Sequence, residues 1–174
     1  VSPRAEISQL SITIEEGLAS IWSAADSEAG APTDPISGYT WDWGDGDTSV
    51  GEEASHVYAD DGTYLLRLTV EDSDGSLSTT SRFITVINRA PFDGVILADS
   101  TRLDYGEPAR FEVDFSDVPN DTVAIFWRMG SGGATYSNRR VVNHVYREIG
   151  VFTIRVILTD DDGGETELTL DCLL

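Results

Sequence analysis

The sequence is organised around one hexapeptide, Trp41-Asp42-Trp43-Gly44-Asp45-Gly46. Its glycines allow positive φ angles and Asp45 can bond to nearby backbone, which together predict a tight turn. The two tryptophans are two residues apart, so they lie on one face of an extended chain. We expect both rings to fill a core, with sugar stacking as the alternative. Trp22, whose face the pattern leaves open, is the better candidate for an exposed aromatic ring.

This hexapeptide recurs, in altered form, later in the chain. Trp127-Arg128-Met129-Gly130-Ser131-Gly132 follows 86 residues later (127 − 41), and His56-Val57-Tyr58 returns as His144-Val145-Tyr146 after 88 residues (144 − 56). Two more blocks repeat at the same spacing of 88, Gly62-Thr63-Tyr64 with Gly150-Val151-Phe152 and Asp72-Ser73-Asp74-Gly75 with Asp160-Asp161-Asp162-Gly163. Four ordered matches predict two tandem domains, 1–88 and 89–174, joined by a short linker at Pro91.

Apolar residues alternate with polar ones in both halves. The alternating positions are Tyr64, Leu66, Leu68 and Val70 in the first half, and Phe152, Ile154, Val156 and Leu158 in the second. Clusters of Gly, Asp, Asn and Ser interrupt such runs every 8–12 residues or so. The pattern predicts an all-β fold with two immunoglobulin-like antiparallel β-sandwiches arranged end to end, each of about seven strands, and almost no helix.

Composition excludes several classes of function. Thirty-one acidic residues against 11 basic ones give a formal charge of −20 and an isoelectric point near 4.1. Such a surface repels nucleic acids and anionic membranes, and no apolar run is long enough to span a bilayer. Cys172 is the single cysteine, so an intrachain disulfide is impossible and only an intermolecular one stays open. Divalent cations, a saline habitat or solubility would each account for the acidic excess.

The repeated blocks resemble the PKD (polycystic-kidney-disease) domain family. Its signature is an aromatic-Asp-aromatic-Gly-Asp-Gly turn followed by His-x-Tyr, Gly-x-aromatic and a strand that ends in an Asp-containing turn. The first half carries all of these, whereas the second departs from the turn at Arg128, Met129 and Ser131. The resemblance implies an extracellular, non-catalytic module, of the kind repeated along adhesins or appended to secreted hydrolases.

The resemblance also implies a calcium site. In calcium-binding PKD domains such as those of bacterial collagenases, the ligands are an Asn near the domain start, an Asp ten residues before the signature tryptophan, and the Asp that ends the penultimate strand. The matching positions in the second half are Asn88, Asp117 (127 − 10) and Asp160, with the Arg89 carbonyl completing the shell. Hard oxygen ligands of this kind suit Ca²⁺. The alternative is that these aspartates are solvated turn residues.

A second, less complete calcium set is available in the first half. Its members are Asp26, Asp34 and Asp72. The Asn position would fall before Val1, and Ala31 stands where the Asp is expected.

Two histidines occupy equivalent repeat positions, which favours a structural role over catalysis. We expect His56 and His144 to bond to loop backbone, and we expect the chain not to be an enzyme, since no Gly-x-Ser-x-Gly motif and no repeated nucleophile accompanies them.

The leading prediction is a non-catalytic spacer, adhesion or protein–protein interaction module. It would be a monomeric fragment of a larger secreted or cell-surface protein, with an extracellular protein or polysaccharide as its partner. The alternative is an ancillary polymer- or carbohydrate-binding module of a secreted hydrolase. That alternative needs an exposed aromatic row, for which Trp22, Tyr39, Tyr105 and Tyr136 are the candidates.

Overall fold

The described part of the chain consists of β-strands joined by turns and loops. The computed structural model describes residues 1–8 and 12–174, and these form fourteen strands and no helix. They separate into two compact units, Val1–Asn88 and Arg89–Leu174. The predicted all-β fold with two tandem domains is therefore confirmed. No long apolar helix that would be able to cross a membrane occurs among the described residues.

The first unit contains seven strands in two sheets. In chain order they are β1 (Thr13–Glu15), β2 (Ser20–Ser23), β3 (Ile36–Asp42), β4 (Thr48–Val50), β5 (Glu53–His56), β6 (Gly62–Asp72) and β7 (Leu77–Ile87). One sheet has the order β1-β7-β6-β3-β4, with β1 parallel to β7 and the other pairs antiparallel. The second sheet is the antiparallel pair β2-β5. The signature turn that follows β3 connects β3 to the edge strand β4.

The core of the first unit is rich in tryptophan. The rings of Trp41 and Trp43 are both fully buried and stack with their centroids 5.6 Å apart. Leu66, Leu68 and Val70 are also fully buried, as the alternation along β6 predicts. The prediction that these two tryptophans pack in the core is confirmed.

Trp22 differs from the prediction. It is only 1% exposed, its centroid lies 6.3 Å from that of Trp43, and its Nε1–H donates to Ser20 Oγ. The prediction of an exposed ring was wrong because the inward face of β2 is set by its pairing with β5, which short-range alternation does not reveal.

The second unit also has seven strands in two sheets, but the strands are divided between the sheets differently. They are β8 (Phe92–Ala98), β9 (Pro108–Ser116), β10 (Ala124–Arg128), β11 (Thr135–Ser137), β12 (Val141–Val145), β13 (Val151–Thr159) and β14 (Glu165–Leu173). The sheets have the orders β11-β10-β13-β14 and β12-β9-β8, and all their pairs are antiparallel. Trp127 and Phe111 are fully buried between them.

One tyrosine ties the signature turn to the core in each unit. The buried hydroxyl of Tyr58 donates to the carbonyl oxygen of Trp43 at 2.9 Å, and that of Tyr146 donates to Met129 at 3.0 Å. Burial raises the pKa of both phenols far above its ordinary value, so each remains a hydrogen-bond donor. These equivalent bonds explain why the His-x-Tyr block recurs in both units.

The first glycine of the turn is required sterically. Gly44 has a φ of 85°, and a Cβ there would lie 2.8 Å from the carbonyl oxygen of Leu65. Gly130 has a φ of 72°, and a Cβ there would lie 2.6 Å from the carbonyl oxygen of Thr153. A side chain at either position would clash with backbone as well as strain φ. The turn in the second unit can therefore lose its aspartates but must keep this glycine.

Candidate metal centre

Three carboxylates gather at one end of the second unit. Asp117 follows β9, Asp160 follows β13, and Asp121 lies in the loop between β9 and β10. One oxygen from each lies within 4.8 Å of the other two. Carboxylates at this separation repel one another unless a cation or a proton lies between them. We call these three residues the aspartate triad.

The surroundings of Asp117 do not neutralise its charge. Its Oδ1 accepts a hydrogen bond of 3.0 Å from the Val118 N–H, while its Oδ2 is buried and has no hydrogen-bond partner in the structure. Burial raises the pKa of Asp117, and the charges of Asp160 and Asp161 raise it further. These effects outweigh the Val118 bond and the charge of the Arg89 guanidinium, which both lower the pKa. Carboxylate oxygens grouped in this way are the hard ligands that a divalent cation such as Ca²⁺ accepts.

Asp160 is held rigidly in its turn. It is 5% exposed, and its Oδ1 accepts a hydrogen bond of 2.6 Å from the Gly164 N–H. The Oδ1 of the next residue, Asp161, accepts a hydrogen bond of 2.8 Å from the Thr122 N–H. That bond ties the β13–β14 turn to the loop that carries Asp121.

The structure brings together two of the four calcium ligands predicted for the second unit. Asp117 and Asp160 come together, and Asp121, which the sequence analysis missed, joins them. The guanidinium of Arg89 stacks on Phe92, with Cζ 3.7 Å from the ring centroid. Asn88 follows β7 as the last residue of the first unit. The roles of the Asn88 side chain and the Arg89 carbonyl as ligands stay predictions.

In the first unit two of the three predicted carboxylates are adjacent. Asp34 and Asp72 are 6% and 1% exposed. Ser73 Oγ donates to Asp34 Oδ1 at 2.6 Å, and this bond, with a smaller contribution from a hydrogen bond shared with Asp72, lowers the pKa of Asp34 despite burial. Asp72 Oδ1 accepts from the N–H groups of Asp74 and Ser76.

The third predicted residue, Asp26, lies apart from this pair. Asp72 Oδ2 is buried without a hydrogen-bond partner. Asp26, by contrast, is exposed, and its N–H donates to Ser8 Oγ. No hydrogen bond or ion pair among the described residues joins Asp26 to Asp34 or Asp72, so only two of the three predicted carboxylates come together.

Both histidine rings bond to side chains, and the prediction that they bond to loop backbone was wrong. His56 is 8% exposed, and its Nε2 lies 2.6 Å from Asp45 Oδ2. Burial opposes ionisation of Asp45, but bonds from the Asp47 N–H and from His56 lower its pKa overall. In the second unit Ser131 stands at the position of Asp45, and its Oγ lies 3.2 Å from His144 Nε2. Ser131 lies 86 residues after Asp45, so an alignment of the two repeats would have shown that these residues occupy equivalent positions beside the two histidines.

Comparisons with known proteins agree with this architecture. The sequence model of the PKD domain matches residues 1–87 and again residues 88–172. Collagenase ColA of Clostridium perfringens (strain 13 / Type A) is 35% identical over 92 residues, which are 52% of this chain and 8% of that protein. Collagenase ColA of Bacillus cereus is 46% identical over 48 residues, which are 28% of this chain and 5% of that protein.

Among solved structures, the PKD1 domain of Vibrio anguillarum Epp matches with a TM-score of 0.41 and 25% identity, covering 51% of this chain and 98% of that domain. The matched part of this chain spans less than a tenth of the length of either collagenase. The two consecutive family matches span almost the whole chain and confirm the resemblance drawn from the repeated blocks. The chain belongs to the PKD domain family.

Proposed function

We propose that this chain is a non-catalytic pair of PKD modules within a larger secreted protein, and that the second module binds calcium. Family membership supports the non-catalytic, accessory part of the proposal. The collagenases that the chain resembles support an extracellular setting, since a collagenase acts on an extracellular polymer. Within such a protein the pair would act as a spacer or an interaction unit that carries neighbouring domains.

The single observation that carries the calcium proposal is the aspartate triad. Three carboxylate oxygens lie within 4.8 Å of one another, and one of them belongs to Asp117, whose pKa is raised by burial and by the nearby charges of Asp160 and Asp161. The donors are oxygens only, which favours Ca²⁺ over metals that prefer nitrogen or sulfur. Asp117, Asp121 and Asp160 would hold the ion, with the Arg89 carbonyl and Asn88 as the further ligands predicted from the sequence.

Calcium would offset the mutual repulsion of the three carboxylates. The triad joins the end of β9, the β9–β10 loop and the β13–β14 turn. An ion held by all three would fix these segments to one another and stabilise the folded unit by mass action. We expect a modest affinity, with Kd about 10⁻⁴–10⁻³ M as in other extracellular modules.

A weaker site is proposed in the first unit. Asp34 and Asp72 are both buried, and Asp72 Oδ2 lacks a hydrogen-bond partner. Two carboxylates offer fewer charges than three, and Ser73 already satisfies part of Asp34. We therefore expect the first unit to bind Ca²⁺ less tightly than the second, or to exchange it for protons at acidic pH.

A melting series tests the proposal. Thermal unfolding is followed at 10 mM Ca²⁺, 10 mM Mg²⁺ and NaCl of matched ionic strength, for the wild type and for Asp117→Ala. Calcium at roughly ten to a hundred times Kd is expected to stabilise the second unit by about 1–3 kcal/mol, and NaCl to reproduce only a small part of this. An equal response of the wild type and the Asp117→Ala variant would show that the aspartates are turn residues only.

The alternative function is polymer binding on behalf of a secreted hydrolase. The named collagenases favour a collagen-like polymer over a polysaccharide. The burial of Trp22 argues against a surface on which sugar rings stack, because all four tryptophans are buried. Tyr105 is the strongly exposed tyrosine. Cosedimentation of the chain with insoluble collagen and with chitin separates these outcomes. Retention on neither polymer leaves the spacer function.

A further inference from the structure

A serine hydroxyl faces a histidine in the second unit. Ser131 lies in the β10–β11 loop, and its Oγ is 3.2 Å from Nε2 of His144 on β12. Both side chains are half-buried and line a surface depression of about 260 Å³, which Gly132 and Arg147 also line. The hydroxyl is therefore within reach of a small molecule from solvent, unlike the fully buried polar groups of the core.

The hydrogen bonds around His144 determine which nitrogen carries the proton. Nδ1 lies 3.1 Å from the Tyr136 hydroxyl, which in turn lies 3.2 Å from the carbonyl oxygen of Asn143. A phenol has one proton and a carbonyl can only accept, so Tyr136 donates to Asn143. The Tyr136 oxygen then accepts from the Nδ1–H of His144. Nε2 is left with its lone pair directed at the Ser131 hydroxyl.

His144 is also in the right charge state to take a proton. Burial lowers its pKa below the ordinary value for histidine, so the ring is neutral at pH 7. The edge of Tyr146 packs against it with centroids 4.5 Å apart, and Arg147 and Glu148 line the same depression. A neutral imidazole in hydrogen-bond reach of a hydroxyl is the arrangement that activates serine for nucleophilic attack.

The first unit lacks this arrangement at the equivalent position. There His56 Nε2 meets the carboxylate of Asp45, which has no proton to give up. The cross-strand partner of Trp41 is Ser49, whereas the partner of Trp127 is Tyr136, so the first unit also lacks the phenol. The same fold therefore holds a purely structural histidine in one unit and a serine–histidine–tyrosine chain in the other.

We propose that Ser131 is a nucleophilic modification site that accepts acyl groups from small activated esters. Ser131 Oγ attacks the ester carbonyl carbon while His144 Nε2 takes the hydroxyl proton. The bond between that carbon and the leaving oxygen then breaks, and His144 returns the proton to the leaving alcohol. The products are acyl-Ser131 and the free alcohol. The reaction needs no calcium and no turnover, so it stands apart from the proposed spacer function.

The test treats the whole chain with p-nitrophenyl acetate at pH 7.5 and maps the adducts by mass spectrometry. We expect one acetyl group on Ser131, formed at least ~10-fold faster than on the exposed Ser137 of the neighbouring strand. The rate is expected to decline at acidic pH as His144 becomes protonated. The chain contains no lysine, so the Val1 amine and the histidines are the main competing nucleophiles, and peptide mapping separates them.

Three variants complete the test. Ser131→Ala should abolish the adduct, and His144→Gln should slow acylation at least ~10-fold, with folding checked by thermal unfolding. Tyr136→Phe, which removes the acceptor for Nδ1–H but keeps the ring, should slow it by a smaller factor and alter the pH profile. Acylation of Ser131 no faster than of Ser137, or at an unchanged rate in a folded His144→Gln or Tyr136→Phe variant, would overturn the proposal.

Discussion

Nε2 of His56 lies 2.6 Å from Oδ2 of Asp45, and the His56 ring stacks on Trp43 with centroids 4.7 Å apart. Asp45 belongs to the signature turn of one sheet and His56 to strand β5 of the other. The pair therefore joins the two sheets of the first unit at a nearly buried point. In the second unit Ser131 replaces the carboxylate, so the equivalent link between the sheets carries no ionic partner.

Asp45→Asn is expected to destabilise the first unit by about 1–3 kcal/mol, because the buried His56 loses an ionised hydrogen-bond partner. The free energy of unfolding is measured by urea titration with tryptophan fluorescence, which reports mainly on the first unit since three of the four tryptophans lie there. Asp47→Asn is the matched control, because that carboxylate is exposed in the same turn, and it should change stability by less than about 0.5 kcal/mol. Equal effects of the two variants would contradict this role for the pair.

The second unit is expected to lose stability as the pH falls below about 6.5, the ordinary pKa of histidine. Burial lowers the pKa of His144 in the folded state, so the unfolded chain takes up this proton at a higher pH. The contribution of His144 is complete above the unfolded pKa and declines as the pH falls towards the folded one. Melting curves between pH 8 and pH 5 measure it. The decline should be smaller in His144→Gln, and an identical decline in both proteins would contradict the assignment.

Trp22→Ala is expected to destabilise the first unit by about 3–5 kcal/mol, because it empties a buried volume beside Trp43. The comparison variant is Tyr105→Ala, at a ring that is 65% exposed, which should cost less than about 0.5 kcal/mol in the second unit. Urea unfolding followed by circular dichroism reports on both. A small loss for Trp22→Ala would mean that its ring is not part of the core.

Local patterns were sufficient to predict the fold. The alternation along β6 and β13 requires one buried face, and Gly44 and Gly130 have the backbone conformations that the turn demands. Such features depend on neighbours within a few residues, so they can be predicted from the sequence. The repeat then predicted the same fold for the second unit, even though Arg128 and Met129 replace residues of the signature turn there.

Contacts between distant loops were harder to predict. Asp121 lies in an irregular loop, and its approach to Asp117 and Asp160 depends on how that loop packs against the β13–β14 turn through Thr122 and Asp161. The partners of the histidines likewise come from the opposite sheet. Neither spacing nor alternation encodes such distances, whereas comparing equivalent positions of the two repeats would have suggested the histidine partners.

The most direct test of the account is a calorimetric titration of the whole chain with Ca²⁺ at pH 7.5. Three proteins are compared: the wild type, Asp117→Asn in the triad, and Asp161→Asn, which removes the same charge from a neighbouring carboxylate outside the triad. We predict that the wild type binds Ca²⁺ with Kd about 10⁻⁴–10⁻³ M, that Asp117→Asn loses this binding, and that Asp161→Asn weakens it only a few-fold. Equal binding by all three proteins, or none by the wild type, would contradict a calcium site in the second module.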